Sequence, residues 1–155
     1  MDEPALQNSF QDAHAQLLCD SFRRWMGRDL IQAGNAHIAP AEALFGAPFA
    51  LVSHGTEPDP IFNYANGTAL KLFEMEWSVF IRLPSRLSVE ALNQTDRVVL
   101  LAQVSEQGFC DNYSGVRISA TGRRFEIQAA VVWNLLDQDD QYRGQAAMFS
   151  DWCYL

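Results

Sequence analysis

The feature that most constrains the fold is the alternation of apolar and polar residues between positions 113 and 135. Apolar side chains occupy every second position on both sides of a Thr121-Gly122 pair. Period two on both sides of a glycine-containing turn is typical of a β-hairpin. The sequence therefore predicts two long antiparallel strands joined by a tight turn.

A tight turn at the Thr-Gly pair also predicts the register of this hairpin. With these two residues as the loop, Ile118 faces Phe125 and Arg117 faces Glu126, so apolar partners are buried together and opposite charges are paired. A four-residue loop would keep the same faces but set Arg117 against Gln128. The charge pairing favours the two-residue loop.

A long amphipathic helix is predicted at the start of the chain. From Phe10 to Ile31 apolar residues recur at intervals of three and four, which indicates one buried helix face. Asn8 or Ser9 is placed to cap its start, and Gly34-Asn35 to end it. Its apolar face would either cover the sheet or pair with the same helix of a second subunit.

The remaining elements complete an α+β domain with a single antiparallel sheet. Two short strands precede the short helices and one longer helix that Gly108 ends, and three antiparallel strands follow. We therefore expect a five-stranded sheet with helices on one face, preceded by the long N-terminal helix, with residues 1–34 and 35–155 as the two parts. Such a helix-covered, curved sheet has a natural cavity between its layers. The predicted elements are a helical turn at 40–45, strands at 48–53 and 61–64, helices at 66–73, 75–83 and 94–107, and a last strand at 142–152.

Composition limits the function classes. The chain of 155 residues is long enough for one domain with a real core. Its 19 acidic and 11 basic residues give a net charge of −8, which repels phosphate backbones and anionic lipid headgroups. We therefore expect no nucleic-acid partner. The acidic N-terminus and the absence of any run of about 20 apolar residues predict a cytoplasmic protein with no signal peptide and no membrane span.

Residues that could carry catalysis or bind metal are scattered. The cysteines, Cys19, Cys110 and Cys153, are odd in number and lack CxxC spacing, so we expect reduced thiols. The histidines are His14, His37 and His54; none has a second ligand at a metal-binding spacing, and only His54, at a strand end, is weighed for a functional role. No GxSxG, P-loop or GxGxxG motif occurs. The sequence favours a non-catalytic protein.

Aromatic residues are the candidates for a ligand pocket. An unbroken alternation places Trp133 on the same apolar strand face as Ile127, the face expected to meet the helices. Trp133 is either a core aromatic or the wall of a pocket whose N–H orients a ligand. Trp77 and Phe80, on a short helix, would form the opposite wall.

Two polar residues extend this candidate site. Arg86, in the corner that begins at Pro84, would either clamp a ligand carboxylate or tie its loop to a nearby acidic residue. Tyr113, together with Asn112, lies at the entrance of a strand, where it would hydrogen-bond a ligand or close the sheet edge.

The order of elements resembles that of PAS domains, and several segments resemble one branch of that superfamily, the MEKHLA domain. The strand and helix at 61–74 resemble the PAS pattern of a strand that ends in Asn and a helix that closes on Leu-Phe. MEKHLA domains occur as stand-alone bacterial proteins, the type this chain resembles, and at the C-terminus of plant class III homeodomain leucine-zipper regulators. The segments similar to this family are Leu83-Pro-Ser-Arg-Leu-Ser88, Tyr113-Ser-Gly-Val-Arg-Ile-Ser119, Gly122-Arg-Arg-Phe125, Val132-Trp-Asn-Leu135 and Gly144-Gln-Ala-Ala147.

This resemblance implies a PAS-like fold and a sensory or regulatory binding role, without a settled ligand. PAS domains that bind flavin covalently carry Cys in an Asn-Cys-Arg-Phe type motif, whereas the corresponding region here reads Pro84-Ser-Arg-Leu-Ser88. Haem-binding PAS domains use a His on the helix before the central hairpin, and residues 88–108 contain none. The resemblance therefore disfavours both covalent flavin and haem.

Three hypotheses for function follow from the sequence. The leading one is a sensory or regulatory module that binds a small, largely apolar molecule between sheet and helices, forms a homodimer, and signals through its N-terminal helix to a separate output protein. The first alternative is a protein–protein interaction or dimerisation module without a pocket. The second is an isomerase or hydrolase of the cone-shaped α+β barrel type, which would need a buried carboxylate or His in the cavity.

Overall fold

The computed structural model describes residues 1–32 and 37–155, which form an α+β domain as predicted. The strands form one antiparallel sheet in the order β2-β1-β5-β4-β3, and β6 continues after β5 beside the first residues of β4. The helices are α1 Asp12–Met26, α2 Pro40–Phe45, α3 Gly67–Phe73, α4 Trp77–Phe80 and α5 Gln94–Gln107. The strands are β1 Ala50–His54, β2 Phe62–Ala65, β3 Phe109–Ile118, β4 Arg124–Leu136, β5 Tyr142–Phe149 and β6 Asp151–Tyr154.

The β3–β4 hairpin is present, but the predicted register is wrong by one residue. Arg117 pairs with Phe125 and Ile118 with Arg124, and the Ser119 amide donates to the Arg123 carbonyl oxygen at 2.9 Å to close a wider loop. A shift of one residue in a strand moves every side chain to the opposite face. Arg117 therefore lies on the same face as Phe125, not opposite it.

Tertiary contacts explain why the wider loop forms. The hydroxyls of Ser119 and Thr121 both donate to the Glu74 carboxylate, which follows α3. The Ala120 amide donates to the Phe73 carbonyl oxygen at 3.0 Å. These bonds hold the loop on the end of α3, and they involve residues more than 40 positions apart, which local turn propensity does not register.

A bulge in β4 overturns a second prediction, the shared face of Ile127 and Trp133. Ala129 has φ of 51°, a left-handed conformation inside the strand, and the register with β3 shifts beside it. The alternation is inverted beyond this residue. Ile127 and Val132 consequently point to one face, whereas Trp133 points to the other, against Phe22 of α1.

The N-terminal helix is shorter than predicted. Residues 9–11 have positive φ angles, so α1 begins at Asp12 instead of Phe10. Gly27, with φ of 68°, ends it well before Ile31, and its amide donates a hydrogen bond to the Arg23 carbonyl oxygen. The predicted stop at Gly34-Asn35, and with it the boundary between residues 34 and 35, lies outside the described residues.

The sheet has helices on both faces. The apolar side of α1, with Leu18 and Phe22 fully buried, covers the face that carries Trp133. The opposite face carries Val132, which packs with Leu100 and Val104 of α5. Of the two uses predicted for the apolar side of α1, the structure shows the first, the covering of the sheet.

No helix within residues 1–32 and 37–155 is both long enough and apolar enough to cross a membrane.

Candidate functional site

A small cavity lies between the inner face of the sheet and α5. Its volume is about 70 Å³. It is lined by side chains from strands β1 to β5, from α3 and α5 and from the 3₁₀ turn Ser85–Ser88. The sequence predicts a pocket in this place, between the sheet and the helices. Its apolar lining includes Val52, Phe62, Phe73, Leu100, Ile127, Val132 and Phe149, and its polar lining includes His54, Ser85, Ser88, Arg97, Tyr113, Arg117 and Gln145.

Two of the six predicted ligand-binding residues, Tyr113 and Ile127, line this cavity. Ile127 reaches it from the part of β4 before the bulge. Tyr113 reaches it from β3, just after Asn112, which also has a positive φ, 63°. Their roles in ligand binding stay predictions.

The structure places the predicted aromatic walls elsewhere. Phe80 is buried behind the cavity wall, stacked on Phe62 with ring centroids 4.3 Å apart. Trp77 lies edge-on to Tyr64 and donates its indole N–H to the Met1 carbonyl oxygen at 3.0 Å. Trp133 is buried under α1 because of the bulge, and its Nε1 finds no hydrogen-bond partner within the described residues.

Arg86 ties its loop to an acidic residue, the second of the two uses predicted for it. Its guanidinium Nε lies 3.1 Å from a carboxylate oxygen of Asp59. Both side chains are about half exposed, at 50% and 51%. Arg86 therefore lies on the surface beside the cavity, with its charge already paired.

Two other arginines line the cavity, and sequence reasoning did not single them out. Arg97 lies on α5 three residues before Leu100 and seven before Val104, the two buried residues of that helix. This spacing places Arg97 on the inner face of the helix, so the sequence alone could have indicated it. The predicted hairpin register, which is wrong by one residue, places Arg117 on the opposite face.

The guanidinium groups of these arginines are held by neutral partners. Arg97 donates to the Ser85 hydroxyl. Arg117 lies over the Tyr113 ring, 5.6 Å from its centroid, and donates to the Val116 carbonyl oxygen at 2.9 Å. Burial lowers the pKa of Arg97, and the positive charge of Arg117 lowers it further.

His54 supplies a further polar group. Its side chain is buried, and Nδ1 lies 3.0 Å from the Gly55 carbonyl oxygen. Burial lowers the pKa of His54, partly opposed by this carbonyl and by Gln145, so the ring is neutral with Nδ1 as its donor. Nε2 is then an acceptor, and it makes no hydrogen bond of normal geometry within the described residues.

His14 of α1 contacts Ser53 of β1, but this contact does not activate the serine. His14 Nε2 lies 3.0 Å from Ser53 Oγ, but the Ser53 hydroxyl donates to Asn63 Oδ1 at 2.6 Å. The histidine is therefore the donor to Ser53 and not its base. Burial lowers the pKa of His14 to about 4. Within the described residues, no group of three or more His, Cys, Asp or Glu is placed to hold a metal ion.

Asn134 connects both helical layers through one residue of β4. Its side chain donates to the Val104 carbonyl oxygen of α5 at 3.0 Å and accepts from the cavity-lining Gln145 at 3.0 Å. Its backbone carbonyl accepts from the Trp25 indole of α1 at 2.9 Å. The cavity side and α1 are thus joined by direct hydrogen bonds.

Comparison with protein families matches the description "MEKHLA domain" over residues 12–154. Similar curated proteins are plant homeobox-leucine zipper proteins. One is ATHB-15 of Arabidopsis thaliana, 24% identical over 147 residues, and another is HOX9 of Oryza sativa subsp. indica, 25% identical over 145 residues. Each alignment covers 91% of this chain and 17% of the relative. The chain therefore spans less than a fifth of the length of these relatives.

Solved structures with the same fold are PAS and Light-Oxygen-Voltage domains. A PAS domain from Colwellia psychrerythraea has a TM-score of 0.58 at 15% identity, over 70% of this chain and 89% of that one. A Light-Oxygen-Voltage domain studied with a flavin analogue has a TM-score of 0.60 at 18% identity, over 74% and 83%. At these identities the similarity shows the fold alone, and it confirms the predicted PAS-like architecture.

Proposed function

Because this chain belongs to the MEKHLA domain family, whose members are PAS-like sensory domains, we propose that it is a non-catalytic regulatory module that binds a small molecule in the cavity under α5. The observation that carries this proposal is the cavity itself. It lies between sheet and helices and combines an apolar wall with a few polar groups, as small-molecule sites do.

The cavity volume limits the size of the ligand. At about 70 Å³ it is smaller than the engineered cavity of about 150 Å³ that holds benzene. A larger ligand would require α5 to move outward. Only Leu100 and Val104 of this helix are buried, whereas Val98 and Val99 are about 60% exposed, so α5 is attached by few side chains. We propose a small ligand, with α5 as the element that adjusts to it.

The output route is proposed to run through α1. Gln145 at the cavity donates a hydrogen bond to the Asn134 side chain, and the Asn134 backbone carbonyl accepts one from Trp25 of α1. A ligand that displaces Gln145 or α5 therefore acts on a residue that also holds α1. We propose that the module works in the cytoplasm as a homodimer and that α1 passes the signal to a separate protein. A solved neighbour, the fungal photoreceptor Vivid, is described as a light-state dimer, with a TM-score of 0.56.

A ligand screen with a blocked cavity tests this function. We would record native mass spectra of the purified protein and thermal shifts against a metabolite library, because a ligand that binds the folded state raises Tm. Ala147→Phe fills the cavity, and Ala102→Phe makes the same change on the exposed side of α5. We expect ligand-dependent shifts in the wild type and in A102F and none in A147F. Shifts that persist in a folded A147F, or no ligand at all, would contradict the proposal.

A second candidate is a dimerisation module that needs no ligand. Leu92, Val98 and Val99, on or next to α5, are 92%, 60% and 61% exposed. A second copy of this chain seated on this surface would bury them. Sedimentation of the wild type and of Val98→Lys tests this candidate, which requires the wild type to be dimeric and the variant monomeric.

A further inference from the structure

Arg97 and Arg117 differ from the arginines that form ion pairs on the surface. The five ion pairs within the described residues involve other arginines, with side chains 47% to 63% exposed. Arg97 and Arg117 are half-buried and line the cavity instead, and among the described residues that line it there is no Asp or Glu.

Neither Arg97 nor Arg117 forms an ion pair within the described residues, although the protein is strongly acidic. The chain has 19 acidic residues. The negative charge of Asp59 favours the charged form of Arg97, but this carboxylate is already paired with Arg86. Both arginines are half-buried, and two positive groups placed together in a partly buried site repel one another unless an anion joins them. Neutral contacts to Ser85, Tyr113 and the Val116 carbonyl hold the two guanidinium groups in place without neutralising them.

We propose that Arg97 and Arg117 together bind the carboxylate of a short-chain monocarboxylic acid whose apolar tail lies in the cavity. This inference rests on the proposed function and assigns the chemical class of its ligand. Guanidinium groups present planar forks of N–H donors that match the two oxygens of a carboxylate. The tail would contact Leu100, Ile127 and Val132, which supply the apolar wall.

The cavity volume and its lining select the class of anion. A volume of about 70 Å³ admits an acid of only a few carbons without rearrangement. A phosphate ester would bring a second negative charge and a third oxygen, and the remainder of the wall is largely apolar. A single carboxylate on a short hydrocarbon uses both parts of the site.

Titration with propionate and its neutral isostere propionamide tests the inference. Binding would be followed by amide and methyl NMR shifts of Leu100, Ile127 and Val132 at low ionic strength. We expect propionate to bind at least tenfold more tightly than propionamide. Arg97→Gln and Arg117→Gln should each weaken propionate binding at least tenfold and remove most of the preference for propionate over propionamide. Arg23→Gln is the matched control, since its guanidinium is paired with Asp29 at the surface beside α1, on the other face of the sheet, and it should bind propionate like the wild type.

Thermal stability without ligand keeps the test interpretable. Removing one of two repelling charges should leave the Tm of R117Q equal to or above that of the wild type, so a loss of binding is not a loss of folding. Equal binding of acid and amide, an R23Q defect as large as that of R97Q, or a bound ligand without an anionic group would overturn the inference while the proposed function stands. Failure of the proposed function shows itself differently, as the absence of any ligand that A147F excludes.

Discussion

The indole of Trp133 meets the ring of Phe22 edge-on, with centroids 5.0 Å apart and planes at 74°, on the sheet face opposite the cavity. Both side chains are fully buried. The contact fixes α1 on the sheet and places the largest aromatic residue of the core outside the ligand site predicted for it. A substitution of Phe22 therefore measures how strongly α1 is held on the sheet.

Phe22→Ala should destabilise the fold by about 3–5 kcal/mol, because it removes a buried ring and leaves a cavity against Trp133. Urea unfolding followed by tryptophan fluorescence measures this cost. Leu6→Ala is the control, since Leu6 is 80% exposed and its truncation should change stability by less than about 0.5 kcal/mol. A cost below about 1 kcal/mol for F22A would show that α1 is not held by this face.

The stability of the protein should fall as pH decreases from about 6.5 toward 4. His14 has a pKa lowered to about 4 by burial, so the unfolded chain binds a proton in this range that the folded chain does not. Neutral His14 thus contributes fully above pH 6.5, and up to about 3 kcal/mol is lost as its folded pKa is approached. Lowered carboxyl pKa values, such as that of Glu74 bonded by Ser119 and Thr121, add acid sensitivity at lower pH.

Urea unfolding between pH 7 and pH 5 therefore isolates the histidines. His14→Gln keeps an amide that can donate to Ser53 but does not titrate, so its stability should change less over this range than that of the wild type. Some dependence should persist because the pKa of His54 is also lowered by burial. Identical pH dependence in H14Q and the wild type would contradict the assignment to His14.

Breaking the Asn134–Gln145 hydrogen bond should destabilise the fold, whereas replacing both residues with apolar ones should not. Asn134→Leu leaves the buried Gln145 amide without its 3.0 Å acceptor, with an expected loss of about 1–3 kcal/mol. Replacing both residues with Leu removes donor and acceptor together, and the Val104 carbonyl keeps its bond from the Gly108 amide. Unfolding free energies should therefore recover in the double variant. A double variant less stable than N134L would refute this account.

Gly144 should not tolerate a side chain. Its φ is 123°, and a Cβ atom there would lie 2.0 Å from the His54 carbonyl oxygen, which belongs to the backbone of β1. Gly27→Ala is the matched control, because Gly27 also has a positive φ, 68°, but meets no atom within 4 Å. G27A should cost about 1–2 kcal/mol from backbone strain alone. G144A should cost about 1–3 kcal/mol more, and thermal unfolding that ranks the two equally would contradict the predicted clash.

Period-two alternation and the spacing of apolar residues predicted the hairpin, the sheet and the helix across it, because these depend on local patterns. The bulge at Ala129 was missed because Ala rarely adopts a positive φ and nothing in the alternation marks it. The loop after Ile118 was missed because its length depends on bonds to Glu74, far away in the chain.

The candidate site was predicted less well, since it depends on those two details. The one-residue change of hairpin register places Arg117 on the cavity face. The bulge at Ala129 places Trp133 on the face opposite Ile127. Arg97 carried a usable signal, its position three residues before the buried Leu100. A polar residue on the buried stripe of a helix is therefore a better pointer to a site here than a large aromatic on a strand.

At Asn134 only one strand, β4, lies between the cavity side of the sheet and α1. Neighbouring residues of β4 face opposite sides of the sheet: Trp133 faces α1 and Asn134 faces α5. A rearrangement of the amides on the cavity side would therefore act on the residue whose backbone carbonyl holds Trp25 of α1, within the length of one residue.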